Sequence, residues 1–500
     1  MAAPGQTKPD SLSWACLPAE IRGLILQAIA RQKHPGWASL ASVCREWQSV
    51  FEHANFDKLK LRVSRLDDFS RIASPQRRHM IRHICLDVEL PRYTCDDCAR
   101  RLSTWDDTSP VVSDAVWKLF SILSAWEPAG GLALELNAYS PSDRDHWFKD
   151  IHLSTDDVEE DEDSNTPLDA WRTEPRCHDP DHGWFRGRRA VEPPRSAVMR
   201  LFRPIILRFQ KPLPQVRAVT RFLLRRQFRR CVCPSDISLL LDSLVRVERM
   251  VYESWGLSGP SGKQVRQQAV AFMVRDGLPG TLKSLTIFED SYELYNRFPR
   301  RLSDIHWLNL FPDGLQLGAT FAFRSRNLQH LSISFLINAE ELFRHCQPAW
   351  NWPHMQSLAL TSDVLDQEER RRRRISLLLR RAGRMAQRMP KLHTFVLWNG
   401  GRGHACAFIY RVDKDGVAIT WRATWRLALA EDPLVIREWR LAAARLRFTE
   451  RFTELQIKQQ RIFRDISSHG DAIYRLKLPC QVIEPASLWQ IRREGHRPAR

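Results

Sequence analysis

The spacing apolar-x-x-apolar-x-apolar recurs seven times in this chain, each time closing in a short run of strand formers. The copies are Ile81/Ile84/Leu86, Ala129/Leu132/Leu134, Val247/Met250/Tyr252, Leu282/Leu285/Ile287, Leu328/Leu331/Ile333, Met355/Leu358/Leu360 and Leu392/Phe395/Leu397. Helical runs precede most of them: residues 111–126 before the second, a run capped by Ser235 before the third, 264–275 before the fourth and 368–389 before the last. A helix followed by a strand, repeated, lays each strand beside the previous one in parallel, with alternate side chains on opposite faces. That pattern predicts an α/β solenoid with irregular intervals of about 27 to 50 residues. The plainer alternative is an ordinary mixed α/β domain whose strands share a pattern.

The repeat resembles the leucine-rich repeat, although its asparagine position is irregular here, so the expected body is leucine-rich-repeat-like. Residues 56–62 alternate and read as one more short strand. Residues 405–421 read as a hairpin around Asp415-Gly416. Residues 433–459 read as largely helical, and the segments 469–478 and 485–489 close the chain.

The stretch 17–51 is different. It reads LPAEIRGLILQAIARQKHPGWASLASVCREWQSVF. Pro18 suits the first turn of a helix. Ile21, Leu24, Ile25, Ala28 and Ile29 form one helical stripe, His34-Pro35-Gly36 breaks it, and Leu40, Val43, Cys44, Trp47, Val50 and Phe51 form a second. So short a unit buries little of its own surface and must dock on its own chain or on a partner. The bland reading is a small helical cap. The opening Leu17-Pro18-x-Glu20-Ile21 with Leu24, Ile25 and Leu26, followed by Val43-Cys44-Arg45-x-Trp47, resembles an F-box. The resemblance implies that Leu17, Pro18, Glu20, Ile21, Leu24, Ile25, Leu26, Val43, Cys44 and Trp47 contact the adaptor subunit of a cullin–RING ubiquitin ligase, and through it the cullin. The stretch from Pro214 to Trp255, with LLRRQFRR and VYESW, and the C-terminal part are similar to a family of fungal F-box proteins that carries a large domain of unknown function.

Charge sets the second expectation. The net charge is +18, carried mostly by arginine. Residues 186–230 hold 14 Arg or Lys and a single acid, Glu192. Arg221, Arg225, Arg226, Arg229 and Arg230 fall at helical spacing around Phe222-Leu223-Leu224, which reads as an amphipathic basic helix. Residues 370–374 are five arginines in a row, read as a solvated helix face with i, i+4 acid partners, or as a nuclear-import signal. Arg225, Arg226, Arg229, Arg230, Arg371 and Arg372 are thus the candidate contacts to an acidic or phosphorylated protein substrate. Between the second and third repeats, residues 156–163 are almost wholly acidic, with Pro167, Pro175, Pro180, Pro193 and Pro194 nearby. This reads as a solvated, mobile insertion that folds over the basic helix.

The expected organisation is a tail (1–11), an F-box module (12–55), first α/β units (56–145), the insertion (146–195), the repeat body (196–425) and a helical and strand cap (426–500). No run reaches the roughly 18 apolar residues of a membrane span. The opening MAAPGQTKPDSLSW lacks the features of a secretory leader. The expected compartment is cytoplasm, nucleus or both. The 11 scattered cysteines then read as thiols, not disulfides.

Sites for chemistry are sparse. Gly256-Leu-Ser-Gly-Pro-Ser-Gly262-Lys263 has one residue too many for a phosphate-binding loop, and Gln264 stands where a hydroxyl should hold magnesium. Cys95-Asp-Asp-Cys98 is half of a zinc spacing, and the other half would have to come from Cys177/His178/His182 or Cys231/Cys233. These cysteines are read as structural, with no metal and no cofactor. No GxSxG, HExxH or kinase set is present. The expected function is a non-catalytic substrate receptor of a cullin–RING ligase. The alternatives are an F-box scaffold without a ligase role and a basic nucleic-acid-binding protein. The tract has few aromatics for base stacking, which counts against the last.

Overall fold

A computed structural model describes residues 14–32, 36–99, 108–128, 130–151, 178–230, 232–256, 260–291, 316–366, 371–414, 416–427, 429–445, 455–463 and 465–495. The strands are β1 (Lys58–Arg62), β2 (His83–Glu89), β3 (Leu132–Tyr139), β4 (Trp184–Phe185), β5 (Arg188–Arg189), β6 (Val219–Leu224), β7 (Arg249–Trp255), β8 (Ser284–Asp290), β9 (His330–Ser334), β10 (Ser357–Thr361), β11 (Thr394–Gly401), β12 (His404–Asp413), β13 (Gly416–Ala423) and β14 (Leu455–Arg461). The fold is mixed α/β. All but β4 and β5, which form a small antiparallel ribbon, join one sheet in chain order. Pairing is parallel from β1 to β11, antiparallel through β12 and β13, and parallel again at β14.

The repeat spacing explains the register. Ile84, Met250, Leu285, Leu331, Leu358 and Phe395, the middle residues of six copies, lie in a single row across the sheet, with Leu134 and Phe222 filling the gap. The remaining copy is out of step by two residues: Leu134, its last member, pairs with Ile84, the middle member of the first. The row faces a continuous apolar core with the helices Ser109–Ser124, Pro234–Ser243, Leu317–Arg324, Arg372–Ala386 and Pro433–Ala444. Successive parallel strands that always step to the same side carry their helices on one face.

The opposite face is covered at its far end by the helices His469–Leu476 and Pro485–Gly495, which pack Ile473, Leu476 and Ile491 on Val396, Trp398 and Ala407. Gly400 lets this cover sit close, because a Cβ there would lie 2.4 Å from that of Ala472.

Several expectations change. Residues 221–230 are not a basic helix. They are the end of β6 and a buried turn, because the run Val219–Leu224 is recruited between β3 and β7 and tertiary pairing overrides the helical spacing. The helix expected over 433–459 stops at Ala444, and Leu455–Arg461 is a strand beside β13. Ser235 lies in the first turn of its helix, behind Cys233 and Pro234, and does not cap it. The insertion read over 146–195 is folded where it is described. Phe148, Ile151 and Trp184 are buried, and Asp179 and Trp184 exchange two backbone hydrogen bonds at 2.8 Å. The acidic run 156–163 lies outside the described residues. Among the described residues no helix is long and apolar enough to cross a membrane.

Candidate functional site

The N-terminal module is built from two helices, α1 (Ala19–Gln32) and α2 (Arg45–Asp57), with short 3-10 turns at Trp14–Cys16 and Trp37–Ser42. The carbonyl of Pro18 accepts the first helical bond, from Arg22 N at 3.0 Å. Gly36, at φ 83, makes the turn between the helices, a left-handed conformation that side chains disfavour. Leu26, Ala30 and Phe51 form a small core under Trp14, Trp37 and Trp47, with the Trp47 and Phe51 rings stacked at 5.6 Å. Glu46 ties the ends together. It accepts from Arg22 Nε at 2.7 Å and from Trp14 Nε1 at 3.2 Å, while Arg22 also donates to the Leu17 carbonyl at 2.7 Å. The bond from Arg22 holds the Glu46 carboxyl below its ordinary range.

What the module leaves outside is apolar. Ile21 is 42%, Leu24 61% and Val43 58% exposed. Pro18, Glu20 and Cys44 are also exposed, and Leu17, Ile25 and Trp47 are half-buried. α1 therefore carries one apolar face inward and a second outward. Leu26 is the exception among the residues assigned to the adaptor: it is fully buried against the core of the module, so it supports the surface without being part of it.

The arginines assigned to substrate divide into two groups. Arg225, Arg226, Arg229 and Arg230 are 5%, 2%, 1% and 5% exposed and do not form a binding surface. Arg225 Nε donates to Glu135 at 2.7 Å, and Gln227 Nε2 donates to the same oxygen at 2.7 Å. Arg226 Nη2 donates to Glu494 at 2.8 Å and its Nε to Asp290 at 2.5 Å. Arg229 donates to Glu494, and Arg226 and Arg229 flank the Trp255 ring at 4.7 and 4.5 Å. Acids from distant parts of the chain thus neutralise these four arginines, Asp143 pairing with Arg230. Burial alone would push the Asp290 carboxyl up, but Arg226 and His469 outweigh it and hold the group well below its ordinary range. Arg371 sits half-buried beside Asp366 at 3.5 Å, and Arg372, Arg373 and Arg374 are exposed on the first turn of their helix. Arg370 lies outside the described residues.

The thiols also redistribute. Cys98 is buried and turns toward the Thr94 carbonyl at 3.8 Å; burial, then the neighbouring Cys95, pushes its pKa up to about 11. Cys95 faces His146 at 3.5 Å, and His146 faces His182 at 3.1 Å. Only Cys95 and His182 of this trio belong to the half-sites weighed from the sequence. Cys177 and Cys231 lie outside the described residues. Gly256 opens its loop just after β7 in a tight approach to the Asp290 carbonyl, and residues 257–259 lie outside the described residues.

Residues 277–484 match the profile of a family of unknown function (DUF6546), which runs from the turn before β8 through the helix His469–Leu476 and leaves the N-terminal module outside the match. No curated protein matches the chain.

Proposed function

We propose that this chain is a non-enzymatic substrate receptor of a cullin–RING ubiquitin ligase, an F-box module followed by a leucine-rich-repeat-like α/β solenoid. The observation that carries the reading is the outward apolar face of α1 and the turn before α2. Of the residues that the motif assigns to a partner, Pro18, Glu20, Ile21, Leu24, Val43 and Cys44 are exposed, Leu17, Ile25 and Trp47 are half-buried, and Leu26 is buried. Exposed aliphatics grouped in this way mark an interaction surface. The in-order parallel sheet supports the solenoid part of the reading. Rate enhancement would come from holding substrate near the ubiquitin-charged enzyme and not from side-chain chemistry.

Burial of four arginines of the basic tract weakens the nucleic-acid alternative, since those charges are spent on internal carboxylates. Substrate contacts then rest on Arg371, Arg372 and their exposed neighbours, or on polar side chains elsewhere on the body. Affinity purification of the full chain, beside a version lacking residues 12–55, tests the assignment. Adaptor and cullin should be recovered only with the full chain. Slower turnover of a co-purified protein on deleting the module separates a receptor from a scaffold.

A further inference from the structure

We propose that Cys95 Sγ, His146 Nδ1 and His182 Nε2 form a zinc site that clamps three connecting segments beyond the C-terminal ends of β2 and β3. Cys95 opens the short helix Cys95–Ala99 that follows β2, His146 follows β3, and His182 lies in the turn that leads into β4. Separations of 51 and 36 residues hide the trio from any local motif. The three donor atoms all lie within 4.8 Å of one another.

The tautomers carry the argument. His182 Nδ1 lies 2.8 Å from the Asp179 carboxylate, which can only accept, so that nitrogen holds the proton. His146 Nε2 lies 3.2 Å from the Tyr93 carbonyl, which can only accept, so that nitrogen holds its proton too. The two remaining nitrogens, Nδ1 of His146 and Nε2 of His182, therefore present lone pairs to each other at 3.1 Å. Both rings are at most 9% exposed. Two neutral imidazoles arranged this way repel unless a proton or a metal ion sits between them. Cys95 brings a third donor to the same point, 3.5 Å from His146 Nδ1.

The spacing fits the ion. Tetrahedral zinc with Zn–N of about 2.0–2.1 Å and Zn–S of about 2.3 Å places nitrogen donors ~3.4 Å apart and nitrogen and sulfur ~3.6 Å apart. The observed 3.1 and 3.5 Å are close to both values. The outer partners are those metal-bound histidines commonly use, a carboxylate for one ring and a backbone carbonyl for the other. Asp179 is itself held by Lys149 at 3.0 Å. One thiolate and two imidazoles favour zinc over the hard oxygen-seeking cations. Among the described residues the group holds three donors, and Cys95 is exposed, so water can take the fourth position.

The test uses the full chain purified without chelator, with zinc read by elemental analysis and folding by circular dichroism. About one zinc per chain is expected, lost in Cys95→Ser and His182→Gln and kept in Cys98→Ser, whose thiol bonds the Thr94 carbonyl and is not among the three donors. Asp179→Asn should weaken zinc by roughly 10–100-fold in competition with a chromophoric chelator, because it removes an outer partner and no donor. Chelator-treated protein titrated with cobalt(II) should give the visible bands of a tetrahedral, thiolate-bound ion, absent in Cys95→Ser. Because Cys95 is exposed, its serine variant should fold. A folded wild-type chain that holds no zinc and develops no cobalt bands overturns the proposal. So does zinc retained unchanged in both Cys95→Ser and His182→Gln.

Discussion

Arg230 grips Asp143 at two points, Nη1 to Oδ2 at 2.6 Å and Nη2 to Oδ1 at 2.7 Å, and so ties the turn after β6 to the segment after β3. Asp143 is fully buried and also accepts from the Tyr93 hydroxyl at 3.0 Å. Removing one member of such a pair strands the other charge without water. Asp143→Ala should therefore destabilise the chain by about 3–5 kcal/mol. A urea midpoint that falls with an unchanged slope would report this. A midpoint within error of wild type would show that Arg230 finds another partner.

Glu253 gives a pH signature. It is buried on β7 and accepts from Ser487 Oγ, from Glu484 N at 2.7 Å and from Arg226 N at 3.0 Å. Burial pushes its pKa up from 4.5 to about 7. Below pH 4.5 the carboxyl is protonated in the folded and unfolded chains alike. Between about 4.5 and 7 the unfolded chain ionises first, so this group's contribution to stability falls as pH rises through that window and is flat above it. Glu253→Gln should remove a slope of up to about 1.4 kcal/mol per pH unit. Parallel stability profiles for the two proteins between pH 5 and 7 would contradict the assignment.

The helix Arg372–Ala386 opens on three arginines, which face the positive end of its macrodipole. Arg373→Glu should stabilise the chain by about 0.3–1 kcal/mol, an effect that shrinks with added salt. Thermal denaturation at two ionic strengths measures it. If Arg371 and Arg372 contact an acidic substrate, the same substitution beside them should weaken that binding while stability rises. Stability that falls instead would mean that Arg373 is held by a partner within the fold.

The sheet was readable because its signal is local. Met250, Leu285, Leu331 and Leu358 stand at the same place in their repeats and end in one row. Strand β6 was not readable, since Arg221, Arg225 and Arg229 satisfy a helical period, and only the partners Glu135 on β3, Asp290 on β8 and Asp143 after β3 show that Arg225, Arg226 and Arg230 point inward. The same limit hid the histidine pair: His182 groups with Cys177 and His178 along the chain, His146 stands alone, and the two meet only through the loops after β3 and before β4. In the N-terminal module the apolar pattern located both helices but could not say which stripe of α1 was the inner one. Leu26 turned inward and Leu24 outward because Phe51 and Trp47 of α2 cover only one side.

The most direct test of the adaptor-binding claim is calorimetric titration of the purified adaptor of a cullin–RING ligase into the full chain and into Leu24→Asp and Val43→Asp variants. Both residues are more than half exposed, so the variants should keep the wild-type melting temperature. Saturable binding with one adaptor per chain is predicted for the wild type. Each variant should lose at least about 2 kcal/mol, roughly 30-fold in affinity, as central residues of an interface do. Absence of heat with the wild-type chain, or equal affinity for wild type and both variants, would contradict the account.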